Sequence, residues 1–260
     1  MCFRFLSVVL AAAITCCASE LPVLRVCADP NNMPFSNERG EGFENKLAEL
    51  IAGKLNERLE YTWWSERKSF VKNSLGQNRC DVLMGVPSLL DSVEVTRPYY
   101  HSSYVFVSRH DRHLQIASLG DPRLSGWRIG VQVVGDDYAP PAFALARRGI
   151  TKSVVGFSLF GSYGELNPTR KIIDAVADGA VDVAIVWGPF AGYFAKSANA
   201  PLDVAPVSPP MYFGVPFAYD ISIAVRKGDE RLRTQLDAVL AAESKTIHQL
   251  LLDYGVPGTH

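Results

Sequence analysis

The sequence predicts an α/β protein of two lobes, each built on a mixed, mostly parallel sheet. Three observations support this prediction: the length of the chain and two successive series of alternating strands and helices. About 240 residues follow the predicted leader, which is long for one core and suits two lobes of ordinary size. Apolar residues make up 48% of the chain, so two cores can be buried. Strands that alternate with helices favour parallel pairing.

The first series of elements precedes residue 110. It begins with the apolar strand Val23–Ala28 and continues through a loop rich in Pro and Asn, whose backbone groups stay free to face a ligand. The later elements are a helix with apolar residues at helical spacing from Phe43, a strand over Leu59–Trp64, a helix over Ser69–Leu75 entered through a Ser cap, and a strand over Val82–Gly85. These elements predict the sheet of the first lobe.

The second series starts near Asp111 and is smaller. Its elements are a strand after Trp127, a helix over Pro140–Gly149, a strand over Val154–Phe160, a helix from Asn167 and a buried strand within 182–187. The strand Ile221–Val225 and the helix Arg231–Leu240 then return the chain to the first lobe. We therefore expect lobe 1 over residues 20–109 and 213–260, lobe 2 over 110–212, and hinges near 108–112 and 206–214.

Residues 1–19 are typical of a secretory signal peptide. Arg4 precedes an apolar run from Phe5 to Ile14 that is too short to span a bilayer and ends in small residues. An alternative is a lipoprotein acylated at Cys16 or Cys17, although the residues before them fit a lipobox poorly. We expect an exported, periplasmic protein with no membrane insertion after the leader is cleaved.

Two cysteines, Cys27 and Cys80, remain once the leader is removed. In an exported protein such a pair favours a disulfide over two free thiols. Cys27 lies in a predicted strand and Cys80 just before another, so the bond would join neighbouring strands of one sheet. A pair of buried, unreactive thiols is the alternative, and two such ligands are too few for a metal site.

Charge and motifs argue against several classes of function. The 26 basic and 27 acidic residues give no excess charge of the kind that nucleic acids or anionic membranes attract. The sequence holds no nucleophile elbow, P-loop or dinucleotide fingerprint, and His110 and His113 lack a third metal ligand. We predict no catalytic residue, metal or cofactor; if the protein were an enzyme, Glu44 and Asp91 would be the candidate acids or bases. For Glu44 we favour a role as a cap of the helix that starts near Phe43.

Three segments, taken in their order and spacing, carry a resemblance to a known family. They are residues 27–37 (CADPNNMPFSN), residues 131–149 with GDDY and PPAFALARRG, and residues 181–195 (VDVAIVWGPFAGYFA). The chain resembles the quinoprotein-dehydrogenase-associated solute-binding-like proteins, the J proteins of methanol-oxidation operons. That resemblance implies the two-lobed type 2 periplasmic-binding-protein fold, a venus flytrap with a cleft between its lobes.

The chain departs from the amino-acid receptors that share this fold. After the glycine that matches Gly85, those receptors carry a Thr and then an Arg whose planar guanidinium grips the ligand carboxylate. Here Leu89, Leu90 and Asp91 stand in that place. At the start of the helix after the second lobe's first strand, Asp136 and Asp137 replace small polar residues, and we interpret them as caps. Both departures disfavour an anionic ligand.

We predict instead an aromatic and apolar cleft that suits an apolar ligand, a stacked ring or a protein side chain. An alternative is that many of these residues fill the lobe cores, and for Trp63 and Trp64 we favour the core, or one in and one out. The predicted cleft residues are Met33, Phe35, Trp64, Pro87, Tyr99, Tyr100, Asp136, Tyr138, Trp187, Phe190 and Tyr193.

The resemblance implies a periplasmic accessory protein that assists maturation or activation of a pyrroloquinoline-quinone (PQQ)-dependent methanol dehydrogenase by binding its large subunit. The alternative is the receptor of an ABC importer for a small neutral or aromatic solute that is not an amino acid. PQQ itself is a third candidate ligand, but it is a tricarboxylate, and only Arg97 and Lys68 offer nearby cations.

Overall fold

A computed structural model describes residues 20–65, 70–134, 137–159 and 165–258. Its helices are α1 Phe43–Leu55, α2 Phe70–Asn73, α3 Pro140–Arg147, α4 Lys171–Ala177, α5 Gly188–Ala195, α6 Glu230–Ala242 and α7 Ser244–Asp253. Its strands are β1 Val23–Ala28, β2 Asn31–Asn32, β3 Ser36–Asn37, β4 Arg58–Trp63, β5 Val82–Pro87, β6 Glu94–Val95, β7 Tyr100–Arg109, β8 Ile129–Val134, β9 Asp137–Tyr138, β10 Val154–Ser158, β11 Val183–Trp187, β12 Leu202–Pro206, β13 Met211–Tyr212, β14 Val215–Pro216 and β15 Ala218–Val225.

One sheet runs through the molecule in the order β10-β8-β11-β7-β15-β5-β1-β4. We call β4, β1, β5 and β15 the first half of the sheet, and β10, β8, β11 and β7 the second half. Within each half the first three strands pair in parallel, and β15 and β7 then pair antiparallel to β5 and β11. The predicted fold class, α/β with mixed and mostly parallel pairing, is confirmed.

The two halves repeat one plan. In each, the strand that comes first in the chain lies between the second and the third, as β1 lies between β4 and β5 and β8 lies between β10 and β11. Parallel neighbours of this kind need a crossover each time, and helices of the alternating sequence provide it. The carboxyl ends of the three parallel strands in each half therefore point to one side, where loops can line a cleft.

The third strand of the first half starts from an ion-pair cluster around Asp81. This carboxylate accepts a hydrogen bond from the backbone N–H of Arg25 at 3.1 Å and one from its guanidinium at 2.6 Å. Arg226, which follows the returning strand β15, donates to it at 3.2 Å. Burial opposes ionisation of Asp81, but these arginine bonds outweigh burial and lower the pKa of the carboxyl.

The second half repeats the cluster at Asp182. The backbone N–H of Arg128 donates to this carboxylate at 2.9 Å, and the guanidinium groups of Arg128 and Arg112 lie at 3.3 and 3.2 Å. Here also the arginine bonds outweigh burial and lower the pKa of the carboxyl. The two halves thus align at their strand starts, with Arg25 equivalent to Arg128.

Strand β7 joins the two halves. Its residues from Tyr100 to Ser103 pair with β15, and from Tyr104 onward it pairs with β11. The chain therefore changes partner between Ser103 and Tyr104. The lobe boundaries and the hinges near 108–112 and 206–214 stay predictions.

The disulfide between Cys27 and Cys80 is confirmed, with their Cα atoms 5.5 Å apart. Both cysteines are buried in a small apolar cluster with Phe70, Leu75 and Leu83. The bond links β1 to a residue two positions before β5, as the two predicted strands imply.

Some elements differ from the predicted ones. Ser69, the predicted cap, lies outside the described residues, and the helix there is the short α2. Strand β12 was not predicted because its prolines disfavour a strand, yet it forms an edge strand beside β7, where proline is tolerated. Helix α7 was also missed, because it follows α6 after a break only at Glu243. Among the described helices, none is long and apolar enough to cross a membrane.

Candidate binding cleft

A cavity of about 1560 Å³ opens along the carboxyl ends of the parallel strands of both halves. Asp29 follows β1, Pro87 ends β5, Gln132 lies in β8 and Trp187 ends β11, and all four line this cavity. We call this space the cleft. It extends on the first-half side to α2. We call the lining residues of the first half the first-half wall and those of the second half the second-half wall.

Five of the predicted aromatic and apolar residues line the cleft. They are Phe35, Pro87, Tyr100, Trp187 and Phe190. The ring of Phe35 packs edge-on against Phe190, with centroids 5.1 Å apart, so a residue of the first-half loop touches the first turn of α5. Through this contact, residues of the two halves that line the cleft touch each other directly.

Four predicted residues lie elsewhere. Met33 is buried in the main apolar core, and Trp64 lies on the surface with the Arg79 guanidinium 4.6 Å from its ring. Tyr193 stacks on Tyr254, with centroids 5.8 Å apart. Tyr99 lines a second, smaller pocket beside α6 and α7. Aromatic composition predicted where apolar side chains occur, but not which face of each element they occupy.

The two predicted acidic positions at the start of α3 have different outcomes. Asp136 lies outside the described residues. The backbone of Asp137 lies in β9, and α3 begins at Pro140 with Ala139, not an aspartate, as its N-cap residue. The backbone of Tyr138 pairs with Val133 of β8 in the same short ladder.

The first-half wall is filled beside Gly85. Gly85 has a positive φ of 71°, and a Cβ atom placed there would lie 2.4 Å from Oε1 of Glu44. The Tyr99 hydroxyl donates to the same Oε1 at 3.3 Å. Burial, and then the charge of Glu44, raise the pKa of Tyr99, so its hydroxyl keeps its proton. A side chain of the protein itself thus occupies the space next to the glycine.

Glu44 is therefore placed differently from the helix cap that the sequence suggested. The N-terminus of α1 is closed by Asn45, whose Oδ1 accepts from the N–H groups of Gly42 and Asn37, each at 3.0 Å. Asp91, the other candidate acid or base, is exposed and does not line the cleft.

The cleft offers little positive charge to an anion. The described cations of the lining are Arg226, whose guanidinium already binds Asp81 and the carbonyl of Cys80, and the exposed lysines Lys72 and Lys227. Arg97 lines the second pocket instead, and Lys68 lies outside the described residues. The carboxylates that line the cleft are Asp29, Glu38, Glu44 and Glu165. This balance disfavours a carboxylate ligand such as PQQ.

The second-half wall presents aromatic rings. The ring of Trp187 meets Tyr104 at 5.5 Å and Tyr219 at 5.8 Å between centroids, both edge-on. Burial raises the pKa of Tyr104, which keeps its hydroxyl neutral. Tyr104 and Trp187 line the cleft. Edge-on aromatic clusters of this type are rigid and favour flat or apolar groups.

Gln132 and Tyr104 were missed in the sequence. Gln132 is 3% exposed, lines the cleft, and accepts a hydrogen bond from the backbone N–H of Trp187 at 3.1 Å. A single polar residue between valines of a buried strand was the available signal. Tyr104 carried no such signal, because it stands in a strand rich in Tyr and Val.

Within the described ranges no group of three or more His, Cys, Asp or Glu side chains is arranged to hold a metal ion. The rings of His110 and His113 contact each other, with centroids 5.6 Å apart, and His110 Nδ1 lies 2.7 Å from an Asp203 carboxylate oxygen. This pair is exposed at the end of β7, away from the cleft.

Comparison with known proteins places the whole described chain in one family. Residues 24–255 match the bacterial extracellular solute-binding proteins, family 3. The protein MoxJ of Methylorubrum extorquens is 29% identical over 248 residues, which cover 90% of this chain and 81% of MoxJ.

Two solved structures are similar throughout. MxaJ from Methlophaga aminisulfidivorans shares 30% identity with a TM-score of 0.79, covering 90% of this chain and 99% of MxaJ. The periplasmic binding protein XoxJ from Methylobacterium extorquens shares 32% identity with a TM-score of 0.75, covering 91% of this chain and 99% of XoxJ. The resemblance to the J proteins that the sequence motifs carried is confirmed.

Proposed function

We propose that this chain, which belongs to family 3 of the bacterial extracellular solute-binding proteins, is a periplasmic accessory protein for a PQQ-dependent methanol dehydrogenase. It assists maturation or activation of the dehydrogenase by binding its large subunit, and it does so without catalysing a reaction. The similarity to MoxJ, MxaJ and XoxJ supports an association with methanol oxidation.

The observation that carries this proposal is the filled space beside Gly85. An amino-acid receptor of this fold needs room and a cation there, whereas this chain places the Glu44 carboxylate against the glycine and exposes Leu89 to solvent. A small zwitterion would meet a negative charge where it needs an arginine. The cleft is nevertheless large and aromatic, which suits a loop of a partner protein.

Binding would proceed by entry of a dehydrogenase segment between the two walls. The halves meet along β7 and β15, so bending near Ser103 and Tyr104 would close the cleft around the segment. Trp187 and Phe35 would supply the apolar contact, since both line the cleft, Trp187 from the second half and Phe35 from the loop after β1. An export signal in residues 1–19 would bring the protein to the periplasm, where the dehydrogenase is found.

A capture experiment tests this proposal. The purified protein, immobilised, should retain the dehydrogenase large subunit from the periplasm of methanol-grown cells. The Trp187→Ala variant should retain about tenfold less, because aromatic anchors dominate such interfaces. The matched control is Trp64→Ala, which removes a tryptophan that lies outside the cleft. Failure of the wild-type protein to retain any dehydrogenase, or equal losses in both variants, would contradict the proposal.

The competing function is an importer receptor for a neutral or aromatic solute, and the aromatic second-half wall is the feature that favours it. A thermal-shift screen of such solutes separates the two functions. A ligand present at 100 times its dissociation constant adds about 2.7 kcal/mol to the unfolding free energy. A shift of that size with a nutrient, and none with the dehydrogenase, would establish the receptor.

A further inference from the structure

The buried amide of Gln132 has one half of its hydrogen-bonding capacity unused. Its Oε1 accepts the N–H of Trp187 at 3.1 Å, while its Nε2 has no hydrogen-bond partner among the residues that the structure describes. Only 3% of this residue is exposed to solvent. A buried donor without an acceptor costs free energy, so its retention calls for an explanation.

The orientation of this amide is fixed by its neighbour. A backbone N–H can only donate, so the oxygen of Gln132 must face Trp187 and the nitrogen must face the other way. Gln132 lines the cleft, and so do Trp187 and Tyr104. The N–H₂ without a partner therefore belongs to a residue of the same wall as the aromatic cluster, and it is itself buried in this conformation, so a ligand oxygen meets it only when the side chains of this wall adjust.

We infer that Gln132 is a recognition residue that donates a hydrogen bond from Nε2 to a neutral carbonyl oxygen seated beside the ring of Trp187. The carbonyl belongs to a peptide or carboxamide group carried by an aromatic or apolar segment, as a loop of a partner protein would present it. The inference rests on the proposed function only for the source of that segment.

A neutral carbonyl fits better than a carboxylate. The described cations of the cleft belong to the first half: Arg226 is engaged with Asp81, Lys72 lies in α2 and Lys227 follows β15. The described lining residues of the second half include no cation. A carboxylate beside Trp187 would therefore lose its hydration without gaining a cation, whereas a carbonyl needs one donor and little else. The adjacent Trp187 ring favours a flat or aromatic neighbour.

The chain contains a matched control for this residue. Asn45 is also fully buried, also uses its amide oxygen for backbone N–H groups, and also leaves its amide nitrogen without a partner in the described structure. It closes the N-terminus of α1 and does not line the cleft. Isosteric replacement of each amide by a carboxyl group keeps the accepted bonds and removes the donor.

The test uses two small aromatic probes that each carry a single carbonyl group, 3-phenylpropanamide and 3-phenylpropanoic acid, titrated calorimetrically at neutral pH. The amide should bind the wild-type protein about tenfold more tightly than the acid. Gln132→Glu should weaken binding of the amide by about tenfold, and Asn45→Asp should leave it within about twofold. Equal binding of both probes, or equal losses in both variants, would overturn the inference.

A measurement on the wild-type protein covers the case in which Gln132→Glu fails to fold. The side-chain N–H₂ resonances of Gln132, assigned by NMR, should shift on addition of the amide probe, and those of Asn45 should not. Unmoved Gln132 resonances at saturating probe would overturn the inference. If the protein binds the dehydrogenase but the Gln132 resonances do not respond to the probe, only the inference is contradicted. If the Gln132 resonances respond to the probe but the protein does not bind the dehydrogenase, only the proposed function is contradicted.

Discussion

The two halves of the sheet start their strands alike and end them differently. Each third strand begins at an aspartate held by two arginines, Asp81 in the first half and Asp182 in the second. Asp29 lies four residues after Arg25 and Gln132 four residues after Arg128, so the two residues stand at equivalent positions at the cleft. Asp29 accepts the backbone N–H of Asn31 and so shapes its own loop, whereas Gln132 keeps an amide nitrogen available.

This difference shows how one framework can serve two purposes. The strand starts determine the fold, and they are nearly the same in both halves. The strand ends determine the ligand, and there the first half is occupied by the protein's own Glu44 while the second half presents Trp187 and Gln132. The first half also has a covalent link, Cys27 to Cys80, where the second half has Gly130 and Val181.

The largest expected effect comes from removing the disulfide, the covalent link by which the first half differs from the second. The disulfide links cysteines 53 residues apart, so the Cys27→Ala/Cys80→Ala variant should lose about 4 kcal/mol of unfolding free energy through greater freedom of the unfolded chain. Urea denaturation measures this loss. Added reductant should bring the wild-type protein close to the variant and leave the variant unchanged. A loss below about 1 kcal/mol would mean that the bond does not stabilise the first half.

The next prediction tests whether the two aspartate clusters are equivalent. Asp81→Asn and Asp182→Asn should each cost about 1–2 kcal/mol at pH 7, because charge-assisted bonds are lost but the arginines are partly solvated. Chemical denaturation of both variants measures the cost. A large cost in one half and none in the other would break the structural equivalence.

The pH dependence of these clusters follows from their lowered pKa values. Each carboxyl has a folded pKa below the ordinary 3.8, so its stabilising contribution is present above about pH 4 and is lost as the pH falls through the folded pKa. The difference in unfolding free energy between wild type and either variant should therefore shrink in acid. A difference that stays constant down to pH 2 to 3 would contradict the assigned role.

An effect of similar size tests the filled space on the first-half wall. Gly85→Ala should cost about 1–2 kcal/mol from its positive φ, and more in total because the new Cβ meets Glu44. In a Glu44→Ala background the same change should cost only the φ part. Gly53→Ala is the control, since it lies in α1 with open space around it and should not destabilise. Equal costs of Gly85→Ala in both backgrounds would show that Glu44 does not fill this space.

The smallest effect concerns the exposed histidine at the end of β7. The hydrogen bond and the charge of Asp203 raise the pKa of His110 above its ordinary value. The stabilisation from this pair is present below the ordinary pKa of 6.5 and is lost as the pH rises through the higher folded pKa. NMR titration should show the pKa of His110 falling in Asp203→Asn. An unchanged pKa of His110 in this variant would show that Asp203 does not raise it.

Much of the fold was readable from the sequence, because strand and helix periods repeat in the same order twice. The disulfide partners and the starts of α1 and α3 were located to within a residue or two. Composition could not tell which aromatic residues face the cleft. Trp64 and Tyr193 point away although their neighbours resemble cleft residues, since orientation depends on strand register and helix phase that only tertiary packing fixes.

The binding residues were harder to predict than the framework. Gln132 is one polar residue in an apolar strand, and its importance depends on which of its amide atoms meets Trp187. Glu44 looked like a helix cap, because acidic residues favour the first turn of a helix, but the packing of α1 on β5 places its carboxylate against Gly85. Long-range placement of this kind leaves no periodic signal in the sequence.

The most direct test of the central claim, that the cleft binds a dehydrogenase segment, is hydrogen–deuterium exchange of this protein with and without the purified apo-dehydrogenase. We expect protection at the ends of β1 and β5 in the first half and of β8 and β11 in the second, with the free surface around Trp64 unchanged. The claim would be contradicted if the dehydrogenase protected neither wall while a nutrient protected both walls under the same conditions.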